Sequence, residues 1–411
     1  MCGKQEVVFS MIDVGINGIV FRVGSATLGE TGGISVLGKT LEEWAGSCIG
    51  APYKTVDGSP VVNVCERLRA AVDRSKPITV ALFCNAPLVT AKSIAAAVDK
   101  ARSDNSDVIT LPYGYVFRTE YLFEIDTLYL RDTANVGGQG DFVTDGESLS
   151  RVTDLLRKRI LRYHAANGVI ITDFQNTYID CDVVIAKGVT VEPYNFLKGK
   201  TVIKEGAHIL PGNYIENCVI GSGARIDSSR LYGSSVGSGT RVGPFAYIRP
   251  DTVIGSNCRI GDYVELKSCV IGDGSKVSHL TYIGDAELGK ECNVGCGVVF
   301  ANYDGKNKYR SVVGDRVFIG SNANIVAPVT IEDRAFIAAG STITKTVQRQ
   351  ALAIARARQT QIPDWTGNVY APPQQQAAKA PDNYNLVQYS DGIIDGAASA
   401  ANNADGETNK Q

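Results

Sequence analysis

Histidine is scarce in this chain, as are several features that sort proteins into classes. Only three of 411 residues are histidine, His164, His208 and His279, which leaves little for a metal centre built on that side chain. Neither sign of charge is in excess: 41 basic residues stand against 43 acidic ones, so the balance gives no support to a nucleic-acid surface. No stretch approaches the roughly 20 apolar residues that a membrane-spanning helix needs. The opening Met1-Cys2-Gly3-Lys4-Gln5-Glu6 lacks the apolar core of a signal peptide. The ten cysteines include no CxxC pair, and the closest two, Cys292 and Cys296, lack the further ligands a metal would need. They read as small apolar residues of a reducing cytosol, and a cytoplasmic protein is expected.

What is present is a six-residue beat. Apolar residues recur at Val236, Val242, Ile248, Ile254, Ile260 and Leu266, and again at Val313, Ile319, Ile325, Ile331, Ile337 and Ile343. Neither a helix nor a half-buried strand gives this period. It is the signature of a hexapeptide parallel β-helix, in which each short strand points one apolar residue into a narrow core. Glycines following many of these residues, as at Gly237, Gly255 and Gly320, suit corners that need a positive φ or a close backbone approach. The beat already runs through Ile185, Val191, Leu197, Ile203, Ile209 and Ile215, which predicts a start near Thr177 and an end near Thr346. The polar segment from Ala301 to Arg310 interrupts it as a loop, and inserted loops in repeat folds often lie on the working face.

The first part of the chain, to about Tyr163, reads as α/β. Ile78 to Phe83 is a continuous apolar run of buried-strand type, and Thr90 is a plausible N-cap for an alanine-rich helix ending near Arg102. Asp107 to Leu111 reads as a strand, with helices near 41–45, 65–72 and 149–164. This alternation predicts a parallel sheet. Beyond Trp365 the chain turns to Pro, Gln, Ala, Asn and Gly and is expected to be a disordered tail. The expected division is 1–166, 167–365 and 366–411.

A β-helix alone names no reaction. Local segments do: Gly243-Pro244-Phe245-Ala246-Tyr247-Ile248-Arg249-Pro250, Val264-Glu265-Leu266-Lys267, Ser278 to Glu287, Asn302-Tyr303-Asp304-Gly305 and Ala351 to Arg356. In this order they resemble the acetyltransferase domain of the GlmU family. These bifunctional enzymes join glucosamine-1-phosphate N-acetyltransferase to N-acetylglucosamine-1-phosphate uridyltransferase. The resemblance implies an α/β nucleotidyltransferase-like domain followed by a left-handed parallel β-helix, a homotrimer, and acetyl-CoA as cosubstrate with no need of Mg²⁺ for acetyl transfer. It also implies a general base at His279, which Glu265 orients or polarises. Arg249, Lys267, Tyr282, Asn293 and Lys308 match residues that hold the sugar phosphate. Cys296, Asn302, Tyr303, Asp304, Ser321, Ala339 and Arg356 match the acetyl-CoA site. Cys296 departs from the family's usual alanine.

In the first domain the resemblance thins. Gly38-Lys39-Thr40-Leu41-Glu42-Glu43-Trp44 and Cys84-Asn85-Ala86-Pro87-Leu88 resemble family segments, but the glycine-rich nucleotide loop is absent. The two metal positions fall on Asn85 and Thr144, and Thr144 with Glu147 reads instead as a capping box. Little remains to hold Mg²⁺ against a triphosphate, so uridyl transfer is expected to be lost. The acetyltransferase reading stands against three others: a trimeric scaffold without catalysis, a retained uridyltransferase, and a zinc hydratase, which would need three histidines per site.

Overall fold

The computed structural model describes residues 15–58, 64–126, 142–363 and 365. Contacts divide the chain into a compact unit ending at Arg356 and a second from Ala357 to Gln411. The expected tail, 366–411, lies outside the described residues.

The first unit begins with a five-stranded sheet in the order 53–57, 16–22, 78–83, 114–118, 108–111. The first three strands are parallel, as predicted. Strand 114–118 is the exception: it pairs antiparallel to both its neighbours, 78–83 and 108–111, so 108–111 again runs in the direction of the first three. The sheet is therefore mixed, because the short Pro112-Tyr113 turn leaves no room for a crossover helix. Helices α1 (Leu41–Ser47), α2 (Val64–Ala71) and α3 (Ala91–Ser103) form where amphipathic spacing predicts them, and Thr90 caps α3. Helix α4 (Gly146–Ala166) is capped by Asp145 with Ser148, one residue later than the expected Thr144 and Glu147 pair. The Asp145 carboxylate accepts from the Ser148 amide at 2.7 Å, a stronger cap than a hydroxyl supplies.

A three-sided parallel β-helix follows. Its first face has eleven strands, from Ile170–Ile171 to Leu352–Ala353; its second has ten and its third nine. The coil starts before Thr177 and closes after Thr346, at Leu352–Ala353, since the first and last strands carry fewer apolar signals than the middle. Along the second face, Leu197, Ile215, Leu231, Ile248, Leu266 and Ile283 all point inward and are fully buried. Each such side chain contributes about 1.5–3 kcal/mol by burial. Gly237 does not adopt a positive φ; a Cβ there would lie 2.4 Å from the Gly255 backbone on the next coil. Close approach of coils is what it permits. The left-handed positions come two residues further on, at Gly239 (φ 67°) and Asn257 (φ 56°).

Six cysteines, at 65, 84, 218, 258, 269 and 292, are buried as small core residues. Val36, Leu41 and Trp44 share one apolar cluster with Val152 and Leu156 of α4 and with the β-helix interior. No helix among the described residues is long and apolar enough to cross a membrane.

Candidate active site

His279 ends a strand of the first face, Lys276–His279, at the corner where the chain turns toward the second face. The next residue, Leu280, adopts φ 46°, which makes the turn. Thr281 Oγ1 donates to the His279 carbonyl at 2.7 Å and fixes the backbone beneath the ring. The imidazole itself stays exposed. One coil below, 17 residues earlier, Asp262 Oδ1 lies 2.5 Å from His279 Nδ1. Backbone hydrogen bonding, with His279 second, holds the Asp262 carboxyl below the ordinary aspartate value. An ionised Asp262 favours the tautomer whose Nδ1–H donates to it and whose Nε2 lone pair faces outward.

Glu265, expected beside the imidazole, is engaged elsewhere: Arg249 Nη1 donates to its Oε1 at 2.9 Å. The residue against His279 is Asp262, which the sequence reading missed. Coil arithmetic could have found it, since residues about 17 apart stack on successive coils.

The second face carries the cations. In register, Glu265 lies between Tyr247 and Tyr282, and Lys267 lies opposite Gly284. Lys267 Nζ is 4.0 Å from Asp285. The neighbouring Lys308 amine is the main influence pushing Lys267 below the usual lysine value, while Asp285 opposes it. Two ammonium groups held this close favour an anion between them. Gly284 is bare for a reason: a Cβ there would sit 2.3 Å from the Tyr282 hydroxyl and 2.9 Å from Asn302 Nδ2. Burial pushes the Tyr282 phenol up. Asn302 donates to Asp285. Asp285 was also missed.

The remaining expected residues divide. Cys296, Ser321 and Ala339 stack along the corner above His279: Asn322 donates its amide to the Cys296 carbonyl at 2.8 Å, and Gly340 donates to that of Ser321 at 2.9 Å. Arg356 Nη1 donates to the Ala339 carbonyl at 3.1 Å. Tyr303 and Asp304 serve their own loop, with Asp304 Oδ1 accepting from the amides of Lys306 and Asn307 at 2.7 and 2.6 Å. Those amides hold the Asp304 carboxyl below its usual value. Asn293 is on the first face, in register with Lys276. His208 pairs with Glu192 at 2.5 Å, four coils away from the His279 strand in the register of the face. His164 is buried in α4.

Asn85, at the end of strand 78–83, is buried; its Nδ2 donates to the Val143 carbonyl at 3.2 Å and its Oδ1 has no hydrogen-bond partner among the described residues. Thr144 turns its carbonyl to the hydroxyls of Ser25 and Thr27, the latter at 3.0 Å.

A long β-helix with six-residue strands and turns defines a class, the left-handed hexapeptide-repeat proteins. The family described as bacterial transferase hexapeptide (six repeats) matches residues 310–345, and the GMPPB C-terminal domain matches residues 232–319. The chain belongs to the GlmU family. A bifunctional protein GlmU from Clostridium acetobutylicum is 42% identical over 324 residues, covering 77% of this chain and 68% of the relative. That from Clostridium novyi is 55% identical over 217 residues, 53% of this chain. The chain spans about half the length, 48%, of the latter protein. Among solved structures, an Arabidopsis UDP-N-acetylglucosamine acyltransferase is 18% identical, with TM-score 0.31, over 45% of this chain and 69% of that one. Similarity at this level says nothing of substrate.

Proposed function

We propose that the chain is an acyltransferase, an acetyl-CoA-dependent N-acetyltransferase that converts glucosamine 1-phosphate to N-acetylglucosamine 1-phosphate with His279 as general base. The observation that carries this reading is the exposed His279–Asp262 pair at 2.5 Å, at the corner from which the chain turns to the face that carries Lys267. Membership of the GlmU family supports it.

Chemically, the neutral amine of the acceptor attacks the thioester carbonyl while Nε2 takes its proton. The tetrahedral oxyanion collapses, the C–S bond breaks, and the CoA thiolate recovers the proton from the imidazolium. Asp262 stabilises that imidazolium and holds the ring's orientation. Arg249, Lys267 and Lys308, with Tyr282 and Asn293, take the sugar phosphate; Arg249 is shared with Glu265 until a phosphate arrives. The stacked corner of Cys296, Ser321 and Ala339, with Asn302, Tyr303, Asp304 and Arg356, takes acetyl-CoA. The reading includes a homotrimer and the domain division 1–166, 167–365, 366–411.

The same proposal holds uridyl transfer lost. Asn85 offers an amide where the family has a metal carboxylate, and the Thr144 carbonyl is already taken by Ser25 and Thr27.

The test is mass-spectrometric detection of N-acetylglucosamine 1-phosphate from purified protein, acetyl-CoA and glucosamine 1-phosphate, with His279→Ala in parallel. Product that falls by about 10³-fold in the variant, at unchanged melting temperature, is expected for loss of a general base. Equal product from both proteins removes His279 from the reaction. No product from folded wild type, with acetyl-CoA still bound, turns the reading to a scaffold.

A further inference from the structure

We infer that the first face of the β-helix is a docking surface for an anionic phospholipid bilayer. Its outward column, followed through the strand register, reads Thr190, His208, Arg225, Arg241, Arg259, Lys276, Asn293, Phe318, Phe336, Leu352. Four consecutive cations are followed, after one asparagine, by three large apolar side chains.

Like charges directly opposite on neighbouring strands repel, so a ladder of four needs an anion nearby. The carboxylates along this face do not neutralise it: Asp227 accepts from the Ser228 hydroxyl at 2.9 Å, and Arg259 reaches Asp262 through charge alone. Glu192 pairs with His208, Asp262 with His279, and Glu291 with Arg316 at 2.6 Å. No ion pair or side-chain hydrogen bond joins Arg241, Arg259 or Lys276 to another described residue. Arg225 meets only His208 Nδ1, at 3.3 Å. All four cations are exposed.

The upper half of the column poses the opposite problem. Phe318, Phe336 and Leu352 are 37%, 46% and 61% exposed, and the two rings stack at 4.5 Å. Ten strands at about 4.8 Å make a flat strip roughly 40 Å long. One occupant meets both halves: headgroup phosphates lie against the cations, and the Phe and Leu side chains enter the acyl boundary. A second copy of this chain fits less well. The outward column of the third face is Val184, Val202, Val219, Ser235, Val253, Val270, Glu287, Val312 and Thr330, with a single carboxylate. That of the second face from Tyr178 to Tyr282 also has one, Glu265. A single-stranded polynucleotide would leave Phe318, Phe336 and Leu352 unused and would find no ring between the cations on which to stack a base.

Vesicle co-sedimentation of the full chain tests this, using phosphatidylglycerol–phosphatidylcholine mixtures against phosphatidylcholine alone. Binding to the anionic vesicles only, weakened by salt, is the expected result. Each neutralised arginine costs about fivefold in partition, so R225Q/R241Q/R259Q is expected to lose about a hundredfold. F318S/F336S is expected to lose about tenfold at unchanged salt dependence. The single R241Q covers the case in which the triple variant fails to fold. Absent binding, equal binding to neutral vesicles, or an undiminished R241Q overturns the inference. So does a ladder that holds single-stranded DNA or inorganic polyphosphate but no vesicles.

Discussion

Asn85 and His279 each sit at or just beyond the end of a strand, where open sheets commonly keep their chemistry, yet they have opposite surroundings. Asn85 is buried, neutral, and closed over by Val143 and by the hydroxyls that cap Thr144. His279 is exposed, braced from below by Asp262, and has cations on the adjoining face. The difference is one of desolvation. A neutral amide tolerates burial with one polar atom unpaired, whereas ionised groups that must meet a charged substrate stay where water can still reach them. On the proposed reading, one of two reaction sites is lost by neutralising and sealing it while the other keeps its charges at a solvent corner.

Restoring the carboxylate is the strongest way to break this comparison. Asn85→Asp places a charge where none of the hydrogen-bond partners is a cation, and is expected to destabilise the fold by about 3 kcal/mol, read from urea unfolding. Added Mg²⁺ should leave the loss in place. If Mg²⁺ and UTP raise the variant's melting temperature back, the site is open and the contrast fails.

A smaller effect sharpens the other side. Asp262→Asn keeps a hydrogen-bonding group beside the imidazole but removes the charge that favours the outward Nε2 lone pair. It is expected to lower kcat for acetyl transfer by about a hundredfold, near 2.7 kcal/mol, with KM little changed. A change in KM alone would make Asp262 part of substrate binding instead.

Much of this was readable from residues alone, unevenly. The six-residue beat located the β-helix because each inward residue is buried independently of distant sequence, as at Ile248 and Ile325. The ends were less clear, since Ile170 and Leu352 are exposed and add no inward signal. The antiparallel strand 114–118 was missed because strand direction depends on connection length, not on apolar pattern. His279, Arg249 and Lys267 came from local motifs. Their partners Asp262 and Asp285 did not, because stacking between coils joins residues about 17 apart that no local motif links.

His164, buried in α4, belongs to neither site. Burial pushes the His164 imidazole down to about 4, while an unfolded histidine titrates near 6.5. Between those values the unfolded chain binds the extra proton, so stability is fully present above about pH 6.5 and is lost as pH falls toward 4. By pH 5 the loss from this group is about 2 kcal/mol. His164→Phe keeps an aromatic ring against Tyr163 and is expected to flatten the pH dependence of the urea midpoint between pH 5 and 7, leaving acetyl transfer at neutral pH unchanged. A midpoint that falls with acid as steeply in the variant as in the wild type would place the acid sensitivity elsewhere, with Asp145, Asp154 and Asp173, whose native hydrogen bonds hold them below the ordinary aspartate value, as the next groups to examine.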